Sequence, residues 1–160
     1  LNAASVGAAV RGQDAVLAGV APKLRLRQHT TLFSQGVTSI VTAMEQHGVR
    51  RLLWVTSAGI DPSDLKATGF FFSRVFKPLF LEGVYADCVI SENVLRKSRL
   101  DWISIHPTRL TDGPRTGKYR VDPWHTPPGG REISRADVAD FMLKQLGDDR
   151  YFHKTPVLAY

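Results

Sequence analysis

The sequence has 160 residues, 43% of them hydrophobic and 22% charged, which predicts one globular domain over residues 1–160. No run approaches the roughly 18 apolar residues that a membrane helix needs, and no amino-terminal signal peptide is visible, so we expect no membrane association. The single cysteine, Cys88, excludes an internal disulfide and favours a reducing, cytoplasmic location.

The net charge of +6 raises the question of a nucleic acid or another polyanion as a partner. The basic residues are spread along the chain, with no stacking aromatic residues between them and no nucleic-acid-binding motif. This pattern is typical of a solvated surface, so we do not expect nucleic-acid binding.

Apolar runs alternate with segments of helical periodicity, which is the pattern of repeated βα units. A short helix at residues 3–11 is predicted to end at Gly12, and the apolar run at residues 15–20 predicts a strand buried on both faces. Residues 31–47 carry apolar side chains on one helical face, and Gly48 is placed to end that helix. Residues 52–56 predict the next buried strand.

The second half of the chain continues the alternation. The very apolar segment 70–81 predicts a helix that covers the core or forms an interface, and residues 85–98 predict another helix. A third strand at residues 101–105 is predicted to stop at His106 and Pro107. Residues 122–130 predict a loop, Ser134 caps a helix at 135–146 with Asp137 close to a capping-box position, and residues 157–160 predict a closing strand.

Five stretches occur together in an order and spacing that point to one family: residues 12–16, 36–49, 55–58, 101–114 and 133–141. The longest reads DWISIHPTRLTDGP, and the last reads ISRADVADF. Together they resemble the atypical short-chain dehydrogenases/reductases with NAD(P)H-binding domains, which include flavin and biliverdin reductases and NmrA-like regulators. The resemblance implies an α/β Rossmann-like three-layer fold with a mostly parallel sheet, in which the N-terminal βαβ portion is absent.

The resemblance also implies that NAD or NADP lies across the carboxyl ends of the parallel strands. Ala18, Gly19 and Val20 would form a floor under the adenosine half. Gly19 has no Cβ and would let a ligand approach the backbone; the alternative is that it is a turn glycine.

The ends of the next two predicted strands supply the remaining candidates. The family places a hydroxyl near the nicotinamide where Thr56 and Ser57 stand, and Ser57 could donate a hydrogen bond to a substrate carbonyl as the catalytic residue, or simply cap the loop. Pro107 and Thr108 would lie along the nicotinamide side. Arg109 is the candidate for binding an anionic group of the substrate.

Several features depart from the family. No glycine-rich turn follows a strand in these residues, so the choice between NAD and NADP cannot be read from them. His106 stands where the family commonly has arginine, and we interpret it as a hydrogen-bonded structural residue. Tyr85 is followed four residues later by Val89, and Cys88 stands where relatives often have lysine, so the tyrosine–lysine pair is missing. The five histidines are scattered without ligand spacing, so no metal site is predicted.

These features leave two main functions open. The first is an NAD(P)H-dependent oxidoreductase of the flavin- and biliverdin-reductase-like type, which passes hydride to a small conjugated acceptor and takes its proton from solvent or from Ser57. The second is a non-catalytic, NmrA-like dinucleotide sensor or scaffold, favoured by Cys88 and the missing lysine. A polyanion-binding protein is a third reading, supported only by the net charge.

The resemblance predicts a property of the strand that begins at Ala15 and ends at Val20. In the complete family fold this strand pairs with the first strand, which these residues lack. It would then be a sheet edge without charge or proline to protect it. We therefore expect self-association through this edge or pairing with a separate segment, unless the amino terminus folds back over it.

Overall fold

The computed structural model describes residues 2–23, 25–26, 29–61 and 79–160. Their helices and strands alternate as far as the third strand, as the apolar runs predicted. In chain order they are α1 (Ala3–Val10), β1 (Ala15–Gly19), α2 (Leu32–His47), β2 (Arg51–Val55), a 3-10 turn (Ala58–Ile60), α3 (Glu82–Lys97), β3 (Asp101–Pro107), β4 (Arg109–Thr111), β5 (Arg120–Asp122), β6 (Glu132–Ser134), α4 (Arg135–Lys144) and β7 (Val157–Ala159).

Five strands form one sheet in the order β1–β2–β3–β7–β5. The first four are parallel, and β5 runs antiparallel to β7. A separate two-stranded parallel sheet consists of β4 and β6. Helix α2 connects β1 to β2, and α3 connects β2 to β3, as parallel neighbours require. The mostly parallel α/β sheet implied by the family resemblance is confirmed.

Helices cover both faces of this sheet. On one face, Leu52 and Trp54 of β2 pack with buried residues of α1, α2 and α3. On the other face, Leu53 of the same strand packs with Phe141 of α4. Because successive side chains of a strand point to opposite faces, β2 is buried on both sides, and the three-layer arrangement is confirmed.

Strand β3 is longer than predicted, because His106 and Pro107 belong to it and do not stop it. The His106 amide donates to the Pro156 carbonyl at 2.9 Å, and the Thr108 amide donates to the Leu158 carbonyl at 3.1 Å. Pro107 therefore lies between two residues whose amides donate to the segment 156–158, so its missing N–H removes no hydrogen bond to that segment. The prediction treated the proline as a breaker and was wrong for this reason.

The sequence did not predict the short strands β4, β5 and β6, and most of the apolar segment 70–81 cannot be compared with the structure. Strands β4, β5 and β6 have three residues each, too few for a periodicity to show, and they depend on partners distant in sequence. The helix predicted at residues 70–81 falls largely on residues 70–78, which lie outside the described residues. Among the helices that the structure describes, none has the length and hydropathy to cross a membrane.

The start of α2 depends on a residue from another helix. The Asp87 carboxylate of α3 accepts hydrogen bonds from the Phe33 amide at 2.8 Å and the Ser34 amide at 3.2 Å. It thus satisfies amides that have no partner within α2. At the other end, Gly48 has φ of 72° and ends the helix in the left-handed conformation, as predicted.

Helix α4 begins as predicted, since the Ser134 hydroxyl accepts a hydrogen bond from the Asp137 amide at 3.0 Å. The second half of a capping box is not formed. The Asp137 carboxylate instead accepts from the Thr116 and Gly117 amides at 2.9 and 2.8 Å and from the Tyr160 hydroxyl at 2.7 Å. The aspartate therefore fixes a distant loop and the carboxyl-terminal residue on the helix. The helix ends at residue 144, two residues earlier than predicted.

Candidate functional site at the strand ends

The carboxyl ends of β1, β2 and β3 lie at the same edge of the sheet. Gly19 pairs with Val55, and Val55 pairs with Ile105, so the three parallel strands reach this edge in register. The candidate residues 18–20, 56–57 and 107–108 lie at these strand ends or directly after them. We call them the strand-end site. In doubly wound folds the cofactor binds at this edge of the sheet.

Gly19 leaves the end of β1 open. Among the described residues, a Cβ placed on it would have one neighbour outside the adjacent residues, Val55 Cγ2 at 4.0 Å, and its backbone is not in the left-handed region. Gly19 is the last residue of β1, and packing among the described residues does not require glycine here. Ala18 and Val20 pack partly against the core shared with α2, so Gly19 leaves an open stretch of backbone between them.

Thr56 points into the protein. Its hydroxyl lies 3.2 Å from Glu92 Oε1 and 3.3 Å from the Ser104 hydroxyl, and the residue is buried. Its amide donates to the Ile105 carbonyl at 2.9 Å, which joins the end of β2 to β3. The Thr56 side chain therefore lies beneath the protein surface and contacts the interior side of the site.

Glu92 of α3 is the centre of a buried polar cluster beneath the strand ends. Its Oε1 lies 2.5 Å from His106 Nε2 and accepts a hydrogen bond from the Ser104 hydroxyl at 2.8 Å. Its Oε2 accepts from the Arg96 guanidinium at 2.9 Å. His106 is thus a hydrogen-bonded structural residue, as predicted, and Glu92 connects the ends of β2 and β3 through the Thr56 hydroxyl.

The cluster keeps Glu92 ionised. Burial by itself raises the pKa of the Glu92 carboxyl, but the hydrogen bond and charge of His106, the Ser104 hydroxyl and the Arg96 charge together bring the pKa below its ordinary value. A buried carboxylate with this many donors has little freedom to move. The cluster is therefore a rigid base for the strand-end site.

Ser57 contacts Tyr85, near the start of α3, and is not part of this cluster. Its hydroxyl accepts a hydrogen bond from the Gly59 amide at 3.3 Å, as the cap of the short 3-10 turn, and it also hydrogen-bonds to the Tyr85 hydroxyl. A Cβ on Gly59 would lie 2.4 Å from the Tyr85 hydroxyl oxygen, so glycine is needed for the ring to approach. Both interpretations of Ser57 thus remain compatible with its position, because it caps the turn and meets a phenol.

The surroundings of Tyr85 keep it neutral. Burial raises the pKa of the Tyr85 hydroxyl, and the Ser57 hydrogen bond only partly opposes this. Cys88, one turn along α3, is buried, and burial also raises the pKa of its thiol. The position where relatives often have lysine therefore carries an uncharged group, which cannot lower the pKa of the tyrosine.

The remaining candidates are held by contacts of their own. Pro107 is buried at the end of β3, and the Thr108 hydroxyl donates to the Leu158 carbonyl at 3.0 Å. Arg109 is an exposed residue at the start of β4 and forms an ion pair with Glu132. Thr108 thus belongs to the strand-end site, whereas Arg109 follows it on β4 and is engaged by an acidic side chain.

Sequence reasoning did not place Tyr85 and Glu92 in this site. The sequence analysis tested Tyr85 only for a lysine four positions later, whereas its partner in the structure, Ser57, is distant in sequence. A signal for Glu92 was present, because Cys88, Glu92 and Leu95 recur at helical spacing on the buried face of α3. A carboxylate on such a face predicts buried partners.

The sequence matches the NAD(P)H-binding family over residues 1–149. A Rossmann-fold NAD(P)-binding family protein from Shigella flexneri shares 22% identity and a TM-score of 0.69, over 98% of this chain and 65% of that one. A short-chain dehydrogenase/reductase of the wide type from Veillonella parvula, in complex with NADP, shares 20% identity and a TM-score of 0.71. The match covers 99% of this chain and 68% of that one. ChuY, an anaerobillin reductase from Escherichia coli O157:H7, shares 22% identity and a TM-score of 0.69. The match covers 99% of this chain and 70% of that one.

At these identities the solved structures show a shared fold. The chain spans 65 to 77% of the length of the solved chains that it resembles. The family match covers nearly all of this chain, and it agrees with the parallel sheet, the helices on both faces and the strand-end site. The chain therefore belongs to the NAD(P)H-binding family, with a Rossmann fold and with NAD or NADP as its cofactor.

Proposed function

We propose that this domain serves an NAD(P)H-dependent oxidoreductase of the flavin- and biliverdin-reductase-like type, which transfers hydride to a small conjugated acceptor. The observation that carries the proposal is the hydroxyl pair of Ser57 and Tyr85 at the carboxyl end of β2. Reduction of a conjugated acceptor develops negative charge on it, and fixed hydrogen-bond donors stabilise that charge. The anaerobillin reductase with the same fold supports a reductase over other cofactor-binding functions.

The chain's own residues would hold the reactants as follows. The open backbone at Gly19 would form a wall for the adenosine half, and Pro107 and Thr108 would form a wall for the nicotinamide, which supplies the hydride when it is bound. No glycine-rich turn follows a strand in these 160 residues, so they offer no such binder for the pyrophosphate. Arg109 would meet an anionic group of the substrate in exchange for Glu132.

The proton chemistry follows from the neutral surroundings. Tyr85 remains protonated at neutral pH because its pKa is raised, so it acts as a hydrogen-bond donor and not as a base. Without a charged lysine beside it, the pair polarises the acceptor and leaves the proton to solvent or to Ser57. Conjugated acceptors need little acid catalysis, which favours them as substrates.

The test is oxidation of NADH and of NADPH, in the presence of flavin mononucleotide or a soluble quinone, by a full-length version of the protein that carries a glycine-rich turn. The proposal expects acceptor-dependent loss of reduced nicotinamide that a Ser57→Ala variant slows. Ser5→Ala, on the exposed face of α1, is the matched control and should leave the rate unchanged. Cofactor binding without turnover for any acceptor would contradict the proposal.

A non-catalytic, NmrA-like sensor or scaffold is the second candidate function. The observation that favours it is Cys88, a buried neutral thiol where relatives often have lysine. A sensor would bind NAD(P)H and show no turnover, so the same assay separates the two functions. For either function we propose a cytoplasmic location, on the single reduced cysteine.

A further inference from the structure

The proposed function places the two reactants on different elements of the fold. The nicotinamide would lie along Pro107 and Thr108, at the end of β3 and directly after it, whereas the acceptor would meet the hydroxyl pair of Ser57 and Tyr85. Tyr85 belongs to α3, so the distance between the reactants depends on how α3 lies against β3. Hydride transfer needs the reacting atoms about 3–3.5 Å apart, and a misplacement of about 1 Å can reduce the rate about a hundredfold.

Apolar side chains supply the broad contact between α3 and β3. Cys88 and Leu95 of α3 belong to the same buried cluster as Trp102 of β3. Apolar burial is non-directional, so it stabilises this contact without fixing where the helix lies along the strand. A hydrogen bond depends on direction as well as distance, and it can fix that position.

Glu92 of α3 supplies such hydrogen bonds through a single oxygen atom. Its Oε1 lies 2.5 Å from His106 Nε2 and 2.8 Å from the Ser104 hydroxyl, and both partners belong to β3. All three residues are buried. Because the Glu92 carboxylate is ionised, it can only accept, so His106 Nε2 carries the proton of this hydrogen bond. A hydrogen bond to a charged group is about twice as strong as a neutral one.

Both ends of this hydrogen bond lie close to the groups that would hold the reactants. His106 directly precedes Pro107 in β3. Glu92 follows Tyr85 by seven residues of α3, which is two turns or about 10 Å of one helix. A shift of Glu92 relative to His106 would therefore also move Tyr85. The second carboxylate oxygen, Oε2, accepts from Arg96 of the same helix and does not join α3 to β3.

We propose that His106 and Glu92 are positioning residues for hydride transfer. Their hydrogen bond fixes α3, and with it Tyr85 and the acceptor that Tyr85 meets, at a set distance from the nicotinamide on β3. Neither residue touches the reactants, and neither gives or takes a proton in the reaction. This role rests on the proposed function and extends it to two buried residues that the proton chemistry does not use.

The experiment measures hydride transfer in a single turnover, by a full-length version of the protein that carries a glycine-rich turn, from bound NADH or NADPH to excess flavin mononucleotide. The rate constant reports how the reactants are placed, whereas the amplitude reports how many molecules are folded. His106→Leu removes the hydrogen-bond donor and should lower the rate constant about tenfold or more. His106→Gln keeps an N–H donor and should restore most of the rate.

Arg96→Gln is the matched control, because it removes the ion pair to Oε2 and leaves the bonds of Oε1 to β3 in place. It should leave the rate constant unchanged. Ser104→Ala removes the other bond from β3 and replaces His106→Leu if circular dichroism shows that variant to be unfolded. A native rate constant in the variant used, or an equal loss in His106→Gln or Arg96→Gln, would overturn the positioning role.

Hydrogen exchange separates this role from the proposed function. If the native protein transfers no hydride, the proposed function is wrong, and the amides of Thr56 and Thr108, both hydrogen-bonded at the strand ends, still test the contact. They should exchange faster in His106→Leu than in His106→Gln or Arg96→Gln, because the bond that fixes α3 on the strand ends is lost. Equal exchange in the three variants would show that this hydrogen bond does not fix the strand ends.

Discussion

Thr56 and Ser57 are adjacent hydroxyl residues, and their side chains point in different directions. Thr56 donates its hydroxyl to the buried cluster around Glu92, whereas Ser57 meets Tyr85 and the Gly59 amide. Glu92 and Tyr85 both belong to α3 but lie seven residues apart, so the two hydroxyls contact different turns of the same helix. The Thr56 hydroxyl therefore belongs to the buried cluster, whereas the Ser57 hydroxyl caps the 3-10 turn and meets the Tyr85 phenol.

Ser57→Ala should reduce turnover about a hundredfold or less, because one positioned hydroxyl contributes about this much when solvent can replace it. Tyr85→Phe should reduce it by a similar factor, since it removes the other half of the pair. Steady-state rates of acceptor reduction measure both. A rate that neither variant changes would remove this pair from the mechanism.

Glu92→Gln should destabilise the protein by roughly 2 kcal/mol, because it removes the buried carboxylate that pairs with Arg96 and hydrogen-bonds to the His106 ring. Thermal and urea unfolding measure the change. Glu45→Gln is the matched control, since Glu45 is exposed and accepts one hydrogen bond, from the Arg99 amide at 3.2 Å. Equal unfolding midpoints for the two variants would show that the cluster does not support the fold.

At the scale of elements, α4 fixes the loop that follows β4. Asp140 accepts hydrogen bonds from Arg115 at 2.7 Å and Tyr119 at 2.8 Å, and it lies 2.6 Å from the Lys144 ammonium. Together with the bonds of Asp137 to Thr116 and Gly117, these contacts tie residues 115–119 to the helix. Two carboxylates therefore hold a loop that has no regular structure of its own.

This attachment predicts a loss of stability in acid. Hydrogen bonds from Lys144 and Tyr119 lower the pKa of Asp140 from 3.8 to about 2. Because the folded state holds the lower pKa, the stabilisation is complete above the ordinary pKa and is lost as the pH falls from about 4 to about 2. Unfolding measured across this range should show a smaller pH dependence in Asp140→Asn.

Asp112→Asn is the control for the acid prediction. Asp112 also pairs with an arginine, Arg135, but its side chain is 90% exposed, so the pairing contributes little. The variant should follow the native chain at every pH. If Asp140→Asn also keeps the native pH dependence, Asp140 does not contribute to acid stability.

At the scale of the whole molecule, the described residues place no glycine-rich turn at the strand-end site to bind the pyrophosphate of a dinucleotide. The 160-residue chain should therefore bind NADH and NADPH weakly or not at all, because much of the affinity for a dinucleotide comes from the backbone amides of that turn. Isothermal calorimetry tests this directly. Micromolar binding by this chain would show that the remaining residues suffice.

The sequence by itself determined the elements that have a local signal. The apolar runs of β1, β2 and β3, the helical face of α2 and the ends set by Gly48 and Ser134 all have their cause within a few neighbouring residues. The order of five weak motifs then indicated the Rossmann fold. It brought Ser57 and Thr108 to the same edge of the sheet, because parallel strands end together.

Only the tertiary structure decided which side chains meet. Asp87 of α3 accepts a hydrogen bond from the start of α2, and Glu92 connects two strand ends. Tyr85 reaches Ser57 because Gly59, in the turn between them, has no side chain. These contacts join residues far apart in the sequence, and no local periodicity encodes them. Pro107 also could not be interpreted from the sequence alone. Whether a proline ends a strand depends on whether the neighbouring strand needs a hydrogen bond from the amide that proline lacks.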